Sequence, residues 1–297
     1  MNAFQHVTVL RSQAVELLVA NGGDRYVDAT VGGGGHAEAI LDAGQHIAVV
    51  GVDQDPAALE AASRRLQSYG ARVELVAGNF RDLAVLVPES FRPVDGILFD
   101  LGVSSPQLDD AERGFTYQVD APLDMRMNPH GERSAFRLVN WASIPELTRI
   151  LREYGEERWA HRIARFIVEA RAREPIRTTG QLVDIVKAAV PAAARRTGGH
   201  PARRTFQALR IWVNEELDAL DGGLNQAYAL LAPRGRLVVI SFHSLEDRLV
   251  KHRFRSWRQA GWGQELTKKP IVADENEQLA NPRSRSAKLR AFERGRA

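Results

Sequence analysis

The chain has 297 residues, 44% hydrophobic and 26% charged, with no cysteine. That length fits two domains, or one core carrying an insert, and the missing cysteine excludes disulfides, thiolate nucleophiles and Cys-ligated zinc or iron–sulfur centres. No apolar run approaches the ~18–20 residues of a membrane span, the first residues lack the regions of a secretory signal, and the eight histidines show no metal-ligand spacing; a cytoplasmic protein with no metal is expected.

The net charge of +3 hides a segregation. Between Arg149 and Arg210 fourteen Lys/Arg stand against six Asp/Glu, and the last 17 residues carry Arg283, Arg285, Lys288, Arg290, Arg294 and Arg296 against Glu293 alone. Such blocks suit a polyanion, most often nucleic acid, although a solvated arginine-rich surface has the same composition.

In chain order, Arg25 to Ala29 is a short apolar strand that runs into a glycine cluster, and residues 36–43 are compatible with a helix. Ile47 to Val52 is a continuous apolar run ending at Asp53, as in a strand buried on both faces. Asp55-Pro56 opens a helix reaching about Tyr69, with the acid as N-cap and the proline in the first turn. Val73 to Val76 and Gly96 to Asp100 supply further strands. Strand–helix alternation of this kind predicts a parallel sheet with right-handed crossovers. The next comparable strand, Gly235 to Ile240, comes only after a long, helix-patterned stretch. Its segments include the apolar stripe Trp159, Ile163, Phe166, Ile167 and Ala170, residues 181–190, an exposed loop over Arg195 to Pro201, and a helix from Thr205 to Leu220. The expected organisation is a discontinuous sheet domain, 1–107 and 205–297, with a helical domain, 108–204, spliced into it.

Four features fall at strand ends, where open α/β sheets bind ligands. Asp28 to His36 joins strand to helix through Gly32-Gly33-Gly34-Gly35, which allows a tight turn and close approach of a ligand. The loop lacks the Gly-Lys-Ser/Thr of a P-loop. Asp53 is placed to accept both ribose hydroxyls of an adenosine cofactor. Gly78-Asn79-Phe80 offers amides and an aromatic face where adenine would lie, and Asp100 ends the fourth strand. Either NAD or S-adenosylmethionine uses such an acid on the ribose. Asp28 beside the loop would repel a pyrophosphate yet suit an ammonium, which favours S-adenosylmethionine.

With Gly32 to His36, Asp53, Phe80 and Asp100-Leu101-Gly102-Val103-Ser104-Ser105-Pro106-Gln107-Leu108-Asp109 in view, the chain resembles the bacterial ribosomal RNA small subunit methyltransferase H family. Further matching blocks include His6 to Leu10, Glu112 to Phe115, Pro122 to Met127, Tyr154 to Arg158, Arg204 to Asn214, Ser241 to Arg248 and Asn281 to Ser286. The resemblance implies an α/β fold, a Rossmann-like class I methyltransferase sheet with an inserted helical domain. It also implies an S-adenosylmethionine-dependent rRNA (cytosine-N4-)-methyltransferase acting on a decoding-centre cytidine of 16S rRNA in the small ribosomal subunit, and is compatible with a homodimer. Its cofactor contacts carry onto Gly34, Gly35, His36, Asp53, Phe80, Asp100 and Gln107. Gly33 is one departure from the family pattern, and residues 261–280 match it least.

Methylating an exocyclic amine requires an acceptor that orients its N–H and takes the proton. Asp100 is the first candidate and His243, after the fifth strand, the second; Ser244 is expected to cap the helix behind it, and His36 to face the cofactor through its backbone rather than its ring. The arginines of the insert and of the C-terminal segment would grip phosphates. The alternatives are an NAD-dependent oxidoreductase on the same sheet and a non-catalytic RNA-binding ribosome assembly factor.

Overall fold

The computed structural model describes residues 8–103, 107, 110–195 and 199–296. The chain forms two compact units, Met1–Ser105 with Leu217–Ala297, and Pro106–Glu216. The segment 205–216, assigned to the sheet domain on sequence, thus falls in the second unit.

In the first unit, α1 (Arg11–Val19) precedes β1 (Arg25–Asp28), α2 (Gly35–Asp42), β2 (Ala48–Asp53), α3 (Pro56–Leu66), β3 (Val73–Ala77), α4 (Leu83–Leu86) and β4 (Val94–Asp100). Strands β1, β2 and β4 are short, apolar and mostly buried, as central parallel strands must be, whereas β3, at the sheet edge, is only half-buried. Asp55 accepts the Ala57 N–H at the head of α3, with Pro56 in the first turn, as the sequence signal required.

Among the described residues seven strands form one sheet in the order β3-β2-β1-β4-β5-β7-β6, where β5 is Leu231–Ser241, β6 Gly263–Glu265 and β7 Lys288–Arg294. Strands β1 to β5 pair in parallel, β7 runs antiparallel beside β5, and β6 antiparallel beside β7. This is the expected α/β, Rossmann-like sheet of the class I methyltransferase type. Strand order reverses between β1 and β4, so the switch point lies at the carboxyl ends of those two strands. The pairs Asp28↔Leu98, Asp53↔Ala77 and Asp100↔Ile240 set the strand-terminal acids along one rim.

Apolar side chains pack on both faces of the sheet. Val27, Val50, Ile97, Phe99, Leu224, Val239, Phe254 and Phe292 belong to one cluster, and Tyr26, Ile40, Val49, Leu98, Val238 and Leu289 to the other.

The C-terminal basic block is not a free tail. Lys288, Arg290 and Arg294 lie in β7, which is buried from Leu289 to Phe292, while Arg283 and Arg285 lie in the short helical turn Pro282–Ser286 before it. Lys288 and Arg290 pair with Asp247 at 3.3 and 2.6 Å, and an Arg294 Nη1 donates to the carbonyls of Leu231 and Tyr228.

The second unit is helical: α5 (Ala135–Trp141), α6 (Ile144–Glu153), α7 (Ala160–Arg171), α8 (Thr179–Ala189), α9 (Ala192–Arg195) and α10 (Arg203–Asn214). Ser134, Ser143 and Thr178 cap three of them, Thr178 in a reciprocal capping box with Gln181. Several of the family-like blocks act as ties within this unit. Gly114 has φ +72°, and a Cβ there would lie 2.2 Å from the Pro122 carbonyl oxygen. The Asn214 amide donates to the Met125 carbonyl and accepts the Met127 N–H, both at 2.8 Å. The single helix expected over Thr205 to Leu220 is broken: Glu215 sits at φ 50°, and α11 (Glu216–Leu230) starts afresh after it.

Candidate active site

Each strand-terminal acid is held by backbone that the sequence supplies locally. The Asp53 carboxylate bridges two loops, accepting the Gly32 N–H on Oδ2 and the Asp55 N–H on Oδ1, each at 2.9 Å. The Gln54 N–H also bonds this carboxylate, which keeps acceptor capacity for a hydroxyl. Burial pushes the Asp53 carboxyl up to about 6. In the glycine loop Gly32 and Gly34 lie at φ +50° and +83°, and Gly34 starts α2 without a side-chain cap. A Cβ on Gly35 would meet the Thr8 Oγ1 at 2.0 Å, whereas one on Gly33 would meet nothing within 4 Å, so a larger residue fits at the position of the family departure.

Asp28, His36 and Asp100 come together. Asp28 is fully buried; its Oδ1 accepts the Thr30 N–H at 3.2 Å, and its Oδ2 has no partner. The Thr30 hydroxyl in turn accepts the Asp100 N–H at 2.6 Å, tying the ends of β1 and β4. The buried His36 ring puts Nε2 3.4 Å from the Asp100 Oδ2, so the ring and not only the backbone reaches the site, contrary to the expectation for this residue. Neither ring nitrogen is hydrogen-bonded, and the Asp100 Oδ1 is also unpartnered. Burial first of all pushes the Asp28 carboxyl up to about 7; His36 and the Thr30 N–H pull it down, while Asp100 and Asp53 push it further up. Three carboxylates on one rim make the crevice suited to a cation and unsuited to a pyrophosphate.

After β3 the Asn79 side-chain amide donates to the Gln54 Oε1 at 3.0 Å and accepts the Arg81 N–H, also at 3.0 Å. This joins the segments that follow β2 and β3. Phe80 packs edge-on against Phe99 with centroids 5.5 Å apart, and a Cβ on Gly223 would come within 2.8 Å of its ring. Much of its surface therefore belongs to the core. Gln107 is buried in the second unit; Ser104, Ser105, Pro106, Leu108 and Asp109 lie outside the described residues.

His243, rather than Ser244, is the N-cap of α12 (Ser244–Gln259). Its Nδ1 accepts the Glu246 N–H at 3.3 Å, while the Glu246 carboxylate takes the N–H groups of Phe242 and His243 at 2.8 and 3.3 Å. A ring that accepts on Nδ1 carries its proton on Nε2 when neutral, which makes it a donor. That geometry sets His243 apart from Asp100 as a proton acceptor.

The sequence reading missed Thr30 and Gln54, neither of which has a local signature. Both act across 70 or 25 positions of chain. Asp28 was legible as an acid beside the loop, but its full burial was not.

A family model for the MraW methylase family matches residues 3–295. The chain is 54% identical to the Ribosomal RNA small subunit methyltransferase H of Heliobacterium modesticaldum, over 98% of this chain and 99% of that protein. It is also 54% identical to the protein of the same name from Deinococcus radiodurans, over 99% and 91%. Among solved structures, an rRNA methylase from Streptococcus thermophilus superposes with a TM-score of 0.47 and 11% identity, over 98% of this chain and 99% of that one. By the extent of the family match and the identity to these relatives, the chain belongs to the MraW methylase family.

Proposed function

We infer that this protein transfers a methyl group from S-adenosylmethionine to the exocyclic N4 of a decoding-centre cytidine in the 16S rRNA of the small ribosomal subunit, in the cytoplasm. Membership of a methylase family makes it a methyltransferase and replaces the nicotinamide reading. The relatives' names support the ribosomal RNA substrate, and the residues at the ends of β1 and β4 support the chemistry. The observation that carries the reading is the buried, unpartnered Oδ1 of Asp100 on the carboxylate-lined rim.

S-adenosylmethionine, when bound, supplies an electrophilic methyl on a cationic sulfonium. The chain's own tasks are to hold, to orient and to move one proton. Asp53 would take the ribose hydroxyls with its remaining lone pairs, while Gly32 and Gly34 keep the loop low enough for approach. Asp28 and Asp100 give the rim the negative potential that a cation needs. The cytosine amine is a weak nucleophile because its lone pair is delocalised into the ring. The Asp100 carboxylate would accept one amine N–H, turn the lone pair toward the methyl and receive the proton as the N–C bond forms and the methyl–sulfur bond breaks, leaving a neutral thioether. The His36 ring lies beside this carboxylate, with Nε2 3.4 Å from Oδ2. Positioning of this kind contributes up to ~7–11 kcal/mol in favourable cases.

Mass spectrometry of 16S rRNA nucleosides from cells with and without the gene tests this directly. The expected result is loss of one N4-methylated cytidine without the protein, and its return with the wild type but not with Asp100→Asn. An unchanged nucleoside profile would sink the reading, and full rescue by Asp100→Asn would remove that carboxylate from the proton transfer.

A further inference from the structure

Of the positive charge that the sequence concentrates near the C-terminus, Lys288 and Arg290 are engaged by Asp247 and Arg294 by backbone carbonyls. A second positive surface of the sheet unit lies on α12. That helix carries Arg248, Lys251, Arg253, Arg255 and Arg258 against Glu246 and Asp247. Both acids turn away from solvent: Glu246 is buried in the capping box, and Asp247 holds Lys288 and Arg290.

Arg248, Lys251, His252, Arg255 and Arg258 are exposed. At 100° per residue they share one face, opposite the buried stripe Val250, Phe254 and Trp257. Arg258 meets Glu265 at 3.3 Å, whereas Lys251, His252 and Arg255 have no acidic partner among the described residues. No large apolar side chain shares this face, as an interfacial membrane helix would require.

Beside the stripe runs a groove of about 370 Å³ between α11 and α12, floored by Leu217, Leu245 and Leu249 and rimmed by Arg248, His252 and Ser256. Its farther wall holds the ion pair of Arg253 with Asp221. The helix starts three residues after β5, whose Ile240 pairs with Asp100, so its first turn lies at the catalytic rim. From Arg248 to Arg258 the stripe extends about 15 Å down the sheet.

We propose that the exposed face of α12 and the groove beside it bind the RNA strand flanking the target nucleotide, with backbone phosphates on Arg248, Lys251 and Arg255 and one unstacked base on the leucine floor. The proposal rests on the RNA substrate assigned above and adds the surface that grips it. A single-stranded segment presents what this surface can use: a run of anions and, beside it, a flat apolar base. Phosphate contacts give affinity without sequence, so the face steers and positions while the rim chooses the atom.

The test uses the full-length protein and small ribosomal subunits from cells lacking the gene, with binding followed across a salt series. In Lys251→Ala/Arg255→Ala the slope of log K against log salt should fall by about 1.4–1.8, at ~0.7–0.9 per lost phosphate contact. KM for the subunit should rise about tenfold while kcat, S-adenosylmethionine affinity and melting temperature stay at wild-type values. Leu245→Ala should raise KM without changing the slope, because an apolar contact releases no counterions. Wild-type slope and KM in the double variant would overturn the proposal while leaving the methyltransferase assignment intact. Failure of the wild-type protein to bind subunits at all would overturn both.

Discussion

At the scale of single residues, the three rim carboxylates separate into different physical roles. Asp28 is buried with one oxygen bare, and its carboxyl is pushed up to about 7 against ~3.9 in an unfolded chain. Between those two values the folded state holds a proton that the unfolded chain has released, so this group's contribution to stability is full at low pH and is lost as pH rises toward 7. Asp53, pushed up to about 6, works in the same direction. Asp28→Asn should therefore flatten the fall in melting temperature between about pH 4 and 7 and melt above the wild type at pH 8, by several degrees. It should also weaken S-adenosylmethionine, because a cation gains from the ionised acid. Melting curves at a series of pH values check the first effect and calorimetric titration the second; a wild-type pH profile in the variant would remove Asp28 from the linkage. Asp53 is different because both of its oxygens already accept backbone N–H groups. Asp53→Ala should lose cofactor affinity by about 100-fold or more, the worth of two charge-assisted hydrogen bonds, and also about 1–3 kcal/mol of stability from the backbone donors left behind. A variant that binds S-adenosylmethionine normally would refute the ribose role. These acids could be read in the sequence because each ends an apolar strand. Which of them are buried or bridged could not, since Thr30, Gln54 and Asp55 reach them through loop geometry that no periodicity encodes.

At the scale of elements, the parallel half of the sheet was legible and the antiparallel half was not. Strands β1 to β4 are apolar runs between turn signals, whereas β7 reads Lys-Leu-Arg-Ala-Phe-Glu-Arg, a mixed pattern whose charges suggested a segment that grips phosphates. The strand is stabilised in the sheet by long-range pairs that sequence does not announce. Arg236 of β5 meets Glu293 of β7 at 3.1 Å while Asn21 after α1 bonds both. Asp247 near the start of α12 holds Lys288 and the almost wholly buried Arg290. These two cations hold the Asp247 carboxyl below the ordinary carboxylate range against the effect of burial. A lowered acid contributes stability above its unfolded pKa, lost as pH falls through the folded value. Asp247→Ala should leave Arg290 buried without a counter-charge and destabilise by about 3–5 kcal/mol, whereas Arg290→Met, which removes the buried charge as well, should cost clearly less. Denaturant unfolding of the two variants decides it: equal losses would mean that the pair matters for packing and not for charge. The helix break at Glu215 was missed for a related reason. The apolar spacing continues through it, and only the left-handed backbone at φ 50° reveals the stop.

At the scale of the whole molecule, a net charge of +3 understates what the chain can do with a polyanion, because acids and bases are not mixed evenly. The sheet unit concentrates carboxylates on its ligand rim, and the second unit concentrates arginines on its surface. Some of those arginines are already paired, Arg149 with Glu153 and Arg165 with Glu169. Others, among them Arg158 and Arg173, are exposed and have no acidic partner among the described residues. Surface pairs one helical turn apart contribute only about 0.3–0.5 kcal/mol, so the paired arginines are not removed from the electrostatic field, but the unpaired ones are the cheaper to lend to phosphate. Arg158→Gln/Arg173→Gln should therefore weaken binding to unmethylated small subunits most at low salt, and the slope of log K against log salt should drop by about 1.4–1.8 if each contacts one phosphate. Neither residue belongs to the unit that carries the rim carboxylates, so S-adenosylmethionine affinity should not move. Binding curves at four salt concentrations with a parallel cofactor titration separate the cases. A slope equal to wild type would mean that this surplus is solvated surface, and that the RNA is held by the sheet unit alone.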